Sequence, residues 1–147
     1  MEPRSTAQRK ADVLEKLRTD VDIWVASASA AGKAYLIPLS FYWDGTRLTV
    51  ATPKNSRTAR NLQRAGVARM ALGPTRDVVI LEGSLKFIPV GADAELADAH
   101  ANKAGFDPRR SKEEFVLIRM TPRRIQAWRE ENELVGRDVM VDDRWLA

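Results

Sequence analysis

The sequence predicts a mainly β fold of the α+β class, in which an antiparallel β-barrel carries peripheral helices. About seven segments rich in β-branched and aromatic residues follow one another along the chain, several joined by tight-turn residues. Helical spacing of apolar residues is confined to a few short segments. These segments do not alternate with the strands as in repeated βαβ units, which argues against a doubly wound parallel sheet.

The first half of the chain begins with a helix and continues as a β-meander. Residues 5–19 carry Leu14 and Leu17 at helical spacing, and Ser5 or Thr6 can cap the helix. Asp44-Gly45 is a hairpin turn, because both residues tolerate positive φ. A short helix follows from Ser56 to Ala65, capped by Asn55 or Ser56. Strands are predicted over residues 22–29, 34–43 and 46–52.

The second half contains further strands and one longer helix. The strand over residues 78–88 is expected to bend at Gly83, since an interior glycine marks a bulge. The helix over 93–103 carries His100 on the same side as Leu96. Pro122 is predicted to interrupt the last long strand. The other predicted elements are a strand over 66–73, a helical turn over 112–114, strands over 115–120, 124–129 and 138–141, and a turn at Asp142-Asp143.

Pro38 stands in the middle of a strongly strand-like segment. Proline cannot donate a hydrogen bond to a neighbouring strand, so it lies at a sheet edge or a bulge. Such a position is either a plain edge strand or a place where a ligand or another chain approaches. The sequence leaves both open.

Composition limits the possible functions. The 147 residues suit one domain spanning 1–147, and the absence of cysteine excludes disulfides and thiolate metal sites. The polar N-terminus and the lack of an apolar run of about 18 residues lead us to expect a cytoplasmic protein without membrane contact. The net charge is +4, but the aromatic residues lie mostly in apolar strands, so nucleic acid is not the expected partner.

The segment from Thr52 to Leu62 is the best candidate for a binding site. A strand ends at Thr52 and a helix begins near Ser56, and helix N-termini bind phosphate through free N–H groups. Arginine in the first helical turn is unfavourable against the helix dipole unless an anion is bound. The alternative is an ordinary capped surface helix. Arg57 and Arg60 add charge here, and Ser56, Thr58 and Asn61 add small polar groups.

These residues carry a resemblance to a known family. The proline-containing strand from Leu36 to Gly45, the strand ending at Thr52 and the Ser-Arg-Thr-Ala-Arg-Asn-Leu run from Ser56 resemble the pyridoxamine-phosphate-oxidase-like proteins. That family includes enzymes that use the deazaflavin coenzyme F420. The resemblance extends over about residues 20–129. It implies an antiparallel split β-barrel with peripheral helices, and a homodimer with two cofactor sites at the interface.

The resemblance also implies roles for individual residues. Ser56, Arg57 and Thr58 would contact the cofactor phosphate, supported by Arg60 and Asn61. Many relatives carry lysine where this chain has Thr58, a departure that either weakens the phosphate site or shifts the charge to Arg57, Arg60 and Lys54. Trp128 can reach the partner's cofactor site. The ring of the cofactor would lie beside Leu36, Pro38 and Ser40, with Thr52 nearby.

The expected function is that of an oxidoreductase. It would use coenzyme F420, or FMN as the second choice, to transfer hydride to a small conjugated organic substrate. The C-terminal basic and aromatic residues that hold substrate phosphate in pyridoxamine oxidases are not matched here, which argues against vitamin B6 activity. The alternative is a non-catalytic protein of the same fold that binds flavin, F420 or haem.

Overall fold

The computed structural model describes residues 1–147 and contains eight strands, three α-helices and two 3₁₀ turns. The helices are α1 (Thr6–Thr19), α2 (Arg57–Ala65) and α3 (Ala94–Ala104), and the 3₁₀ turns are Pro108–Arg110 and Glu131–Glu133. The strands are β1 (Asp22–Ala28), β2 (Ala34–Trp43), β3 (Leu48–Pro53), β4 (Val67–Leu72), β5 (Val78–Pro89), β6 (Phe115–Trp128), β7 (Asp138–Val141) and β8 (Arg144–Trp145).

The first six strands close into an antiparallel barrel. Neighbouring strands follow the order β3-β2-β1-β4-β5-β6, and β6 also pairs with β3, which joins the two ends of the sheet. The short hairpin of β7 and β8 continues outward from β6. The predicted mainly β fold, an antiparallel barrel with peripheral helices, is confirmed.

The barrel interior holds one apolar core of 21 buried residues. Leu17 of α1 and Leu62 of α2 belong to this core, so both helices are fixed to the barrel by apolar burial. Outside the barrel, α3 forms a second cluster in which Leu96 packs with Ala51 of β3 and Leu117 of β6. Strand β3 is therefore buried on both faces, which fixes the point where α2 begins.

The long pair of β5 and β6 contains the bulge expected at Gly83. The register shifts between Glu82 and Gly83, which face Arg124 and Pro122 respectively and leave Arg123 as the extra residue. A β-carbon at Gly83 would collide with the backbone carbonyl oxygen of Thr121. The predicted interruption at Pro122 is wrong, because the bulge accommodates the proline within one continuous strand, β6.

The predicted helical turn over residues 112–114 is also wrong. A 3₁₀ turn forms earlier, at Pro108–Arg110, where Asp107 accepts a hydrogen bond from the N–H of Arg109 at 3.0 Å and proline occupies the first turn. The C-terminal turn at Asp142 and Asp143 is present, with φ values of 50° and 60°. It leads into β8, which the sequence did not predict.

Strand β2 is only partly covered by neighbours. It pairs with β1 from Ala34 to Ser40, but with β3 only from Phe41 to Trp43. One edge of the strand is therefore free around Pro38, which confirms the predicted edge position. No helix has the length and apolar character needed to cross a membrane.

Candidate functional site

Ser56 caps α2 at the point where β3 ends. Its hydroxyl oxygen accepts a hydrogen bond from the N–H of Ala59 at 3.1 Å and shares another, also 3.1 Å long, with the hydroxyl of Thr52. The cap leaves the amides of Arg57 and Thr58 without an intrahelical acceptor. The start of α2 therefore presents backbone donors and a partial positive charge, an arrangement that binds phosphate.

Two polar side chains of α2 are buried. Thr58 is fully buried, and its hydroxyl has no hydrogen-bond partner. A buried hydroxyl without a partner is costly, and such groups in folded proteins are usually satisfied by water or a ligand. Asn61 donates from Nδ2 to the hydroxyl of Ser27 at 3.1 Å, which ties α2 to β1.

The cations of α2 have no acidic partners. Arg57, Arg60 and Arg64 form no ion pair, although Arg60 donates to the carbonyl of Asn55 at 3.2 Å. Lys33, in the turn between β1 and β2, also has none. We call the pocket at this place the α2 pocket. It measures about 340 Å³ and is lined by Ser29, Lys33, Ala34, Tyr35, Arg57, Arg60 and Asn61.

Lys54 contributes less free charge than the sequence suggested. Its ammonium group lies 3.6 Å from the carboxylate of Glu114, and its backbone N–H donates to the carbonyl of Glu114 at 2.8 Å. Both side chains are largely exposed, so the ion pair is weak and can be replaced by contact with an anion.

The predicted ring-binding residues lie on the outer face of the barrel. Leu36, Pro38 and Ser40 alternate along β2 and share one side of the strand. Leu36 is 58% exposed and Trp24, which faces Pro38 across the β1–β2 pair, is 49% exposed. Ser40 donates from its hydroxyl to Asp22 at 2.8 Å. Leu36 and Pro38 therefore form an apolar surface beside the free edge of β2.

Trp128 lies far from this region within one protomer. It ends β6, whereas Phe115, at the other end of that strand, pairs with Pro53 just before α2. The two positions are separated by about 40 Å of strand. Trp128 packs instead near Arg137, whose guanidinium carbon lies 5.7 Å from the centre of the indole ring.

A larger groove, of about 710 Å³, is lined mainly by residues of β4 to β7. Its charges are mostly paired, because Arg69 forms an ion pair with Glu82 and Arg124 forms one with Asp138. We therefore place the candidate anion site at the smaller α2 pocket, where the cations have no acidic partner.

A comparison with models of known protein families shows which family this chain belongs to. Residues 11–129 match the model of the family described as Pyridoxamine 5'-phosphate oxidase. The chain belongs to the Pyridoxamine 5'-phosphate oxidase family. The family resemblance stated from the sequence is therefore confirmed, whereas the F420-dependent branch is not specifically favoured over other members. No curated protein matches the chain.

Solved structures agree with this membership at the level of the fold. An F420 reductase superposes with a TM-score of 0.64 at 16% identity, covering 76% of this chain and 93% of its own. A haem-binding protein from Mycobacterium smegmatis gives a TM-score of 0.69 at 14% identity, covering 87% of this chain and 55% of its own. A pyridoxamine 5'-phosphate oxidase-related, FMN-binding protein from Nostoc punctiforme gives 0.52 at 17% identity, covering 83% of this chain and 78% of its own.

Four residues that line the α2 pocket were not predicted from the sequence: Ser29, Lys33, Ala34 and Tyr35. Lys33 and Tyr35 come from the β1–β2 turn and the start of β2, outside the matched motif. A count of charges could have pointed to Lys33: Asp44 is the single acidic residue between Ile23 and Arg76, a stretch with eight cations. No comparable sequence pattern points to Tyr35, because its side chain follows the same alternation along β2 as those of its neighbours.

Proposed function

We propose that the protein is an oxidoreductase with a flavin-type cofactor, acting on a small conjugated organic substrate. Coenzyme F420 is the first choice and FMN the second. One observation carries the proposal. The start of α2, whose cations Arg57 and Arg60 form no ion pair, lies directly after β3 and close in the chain to the free, apolar edge of β2.

The phosphate of the cofactor would be held at the start of α2. The amides of Arg57 and Thr58 would donate to it, and the Arg57 guanidinium would add charge and paired donors. The Thr58 side chain is fully buried, so Thr58 would contribute mainly its backbone amide. Arg60 would support the site through long-range charge, and Asn61 by fixing α2 to β1.

The ring system would lie on the exposed surface around Leu36, Pro38 and Ser40. Leu36 and Pro38 offer apolar contact, and the free edge of β2 offers backbone donors and acceptors. When bound, a reduced deazaflavin or flavin supplies a hydride to an activated double bond or a quinone-like ring. The residues of this chain would position that ring and shield it from water.

The preference for F420 rests on charge. Coenzyme F420 carries a phosphate and a tail of several glutamates, whereas FMN carries one phosphate. Lys33 and Arg60 line the α2 pocket beside Arg57 and form no ion pairs, which suits further carboxylates. The single phosphate of FMN would leave Lys33 without an anionic partner.

A homodimer completes the proposed site. Trp24 and Leu36 expose apolar surface on the adjacent strands β1 and β2, and Val67 of β4 is 58% exposed. A second copy covering this face would bury that surface and could bring its Trp128 to the ring. Sedimentation velocity should give twice the 16.5 kDa chain mass, and Trp24→Arg should shift the protein toward monomer. A monomeric wild type would contradict this part of the proposal.

Cofactor titration tests the proposal directly. We expect tryptophan fluorescence to be quenched by F420 at micromolar concentration, and by FMN at higher concentration. Added salt should weaken F420 binding more steeply than FMN binding, because more charges are engaged. A protein that binds neither cofactor would overturn the proposal, and a preference for FMN would reverse the order of the two.

The second candidate is a non-catalytic binder of flavin, F420 or haem. It is favoured by the lack of a histidine, aspartate or glutamate among the residues that line the α2 pocket. The only histidine, His100, is buried and 1% exposed, which argues against haem ligation by histidine. Binding without turnover of enones, quinones and biliverdin by the reduced, loaded protein would support this candidate and contradict catalysis.

A further inference from the structure

The guanidinium of Arg57 lies against an aromatic ring. Its central carbon is 5.0 Å from the centre of the Tyr35 ring, within the range of a cation–π interaction. Arg57 is exposed and has no carboxylate partner, so this contact is its main interaction in the protomer. The ring is half-buried, whereas Arg57 is exposed.

Tyr35 belongs to the strand that also carries the proposed ring-binding residues. Side chains alternate along β2, so Tyr35 points to the opposite side from Leu36. Tyr35 and Arg57 both line the α2 pocket. The contact therefore joins the anion site of α2 to the strand that would hold the cofactor ring.

The contact with Tyr35 restricts the position of Arg57 most when no anion is bound. Arginine in the first turn of a helix is repelled by the dipole, and a free side chain samples many rotamers. The face of an aromatic ring attracts the guanidinium and holds it near the helix start. Binding then costs less entropy, because the cation is already close to the position it must occupy.

We infer that Tyr35 is a positioning residue, which holds Arg57 for the cofactor phosphate through the face of its ring. This inference rests on the proposed function and goes beyond the residues of the family motif. It requires the aromatic ring and not the hydroxyl. Tyr35→Phe should therefore preserve binding, whereas Tyr35→Leu should lose the interaction while keeping an apolar side chain.

A double-mutant cycle of Tyr35→Leu and Arg57→Ala tests the inference, with affinity for FMN as the measured quantity. Riboflavin, which lacks the phosphate, is the matched control ligand. We expect Tyr35→Leu to weaken FMN binding about three- to tenfold, and Tyr35→Phe to change it less than about twofold. In the Arg57→Ala background, Tyr35→Leu should have no further effect on FMN. Riboflavin binding should be the same in wild type and Tyr35→Leu.

Three results would overturn the inference. The first is that Tyr35→Leu weakens FMN binding equally in the wild type and in the Arg57→Ala background. The second is that Tyr35→Leu weakens riboflavin binding as much as FMN binding. The third is that Tyr35→Leu leaves FMN binding unchanged. Thermal melting of each variant separates these from misfolding, and Tyr35→Phe supplies a folded aromatic control.

Failure of the proposed function would look different, because the wild type would then bind neither FMN nor F420. In that case the same double-mutant cycle is measured with inorganic pyrophosphate as the ligand, and intrinsic fluorescence reports its binding. This measurement decides the role of Tyr35. Absence of coupling between Tyr35 and Arg57 there would also overturn the inference.

Discussion

The hydroxyls of Thr52 and Ser56 lie 3.1 Å apart and share a hydrogen bond between the end of β3 and the start of α2. Ser56 also accepts from the N–H of Ala59, so one oxygen links the strand to the first turn of the helix. Because β3 is buried on both faces, this link fixes where the helix presents its free amides. The candidate anion site is thus held by a rigid part of the barrel.

Arg57 should matter more for cofactor affinity than Thr58. Arg57 is exposed and unpaired, whereas the Thr58 side chain is fully buried and offers the ligand mainly its backbone amide. We expect Arg57→Ala to weaken cofactor binding by about tenfold or more, and Thr58→Ala by less than about threefold. Fluorescence titration of both variants measures this. Equal losses would mean that the phosphate lies elsewhere.

Glu133 should be a main contributor to stability. It is 3% exposed, and hydrogen bonds from Arg4 lower its pKa to about 2, outweighing the effect of burial. Glu133→Gln should lower the free energy of unfolding at pH 7 by about 2–4 kcal/mol, since it leaves Arg4 with a weaker partner. Urea denaturation measures the loss, and the exposed Glu131→Gln is the control.

The pH dependence of this effect has a definite sign. The pKa of Glu133 is lower in the folded state than its ordinary value of 4.5. Its contribution is therefore complete above pH 4.5 and is lost as pH falls toward 2. The difference between wild type and Glu133→Gln should shrink over this range. A constant difference would contradict the assignment.

His100 should make the fold sensitive to mild acid. Burial lowers the pKa of this histidine; the Ser40 backbone and Asp107 oppose the shift, but neither ring nitrogen has a hydrogen-bond partner. The unfolded chain takes up a proton below about pH 6.5 while the folded protein does not, so stability should fall from pH 7 toward pH 5.

Replacement of His100 provides the matched comparison. His100→Leu should be neutral or slightly stabilising at pH 8, because no hydrogen bond is lost. Between pH 7 and pH 5, the melting temperature of the variant should also fall less than that of the wild type. Identical pH profiles of the two proteins would show that His100 does not titrate differently on unfolding.

Gly83 should tolerate no side chain. A β-carbon there would collide with the carbonyl oxygen of Thr121 and lie 2.8 Å from the side chain of Met120. We expect Gly83→Ala to cost more than about 2 kcal/mol, since the clash involves the backbone of the paired strand. Gly91→Ala is the control, because nothing lies within 4 Å of its position. Similar melting temperatures of the two variants would contradict the close approach.

Local chemistry explains why much of the fold was predictable. Ser5 and Ser56 cap their helices as the sequence indicated, because the hydroxyl and the amide it accepts from are three residues apart. Pro38 had to lie where a hydrogen-bond donor is not needed. The interruption at Pro122 was predicted wrongly because its cause is not local. The bulge opposite Gly83 leaves room for proline only once β5 and β6 are paired.

The residues of the candidate site also fall into those that local sequence predicts and those that it does not. The chemistry of the helix start follows from local sequence, because Ser56, Arg57 and Thr58 are consecutive and the free amides follow from the serine cap. Which groups meet this helix from elsewhere in the chain depends on how the barrel closes. Tyr35 is 22 positions before Arg57 and reaches it because β2 and α2 are held against the same barrel. Barrel closure brings such residues together, and no local pattern in the chain records it.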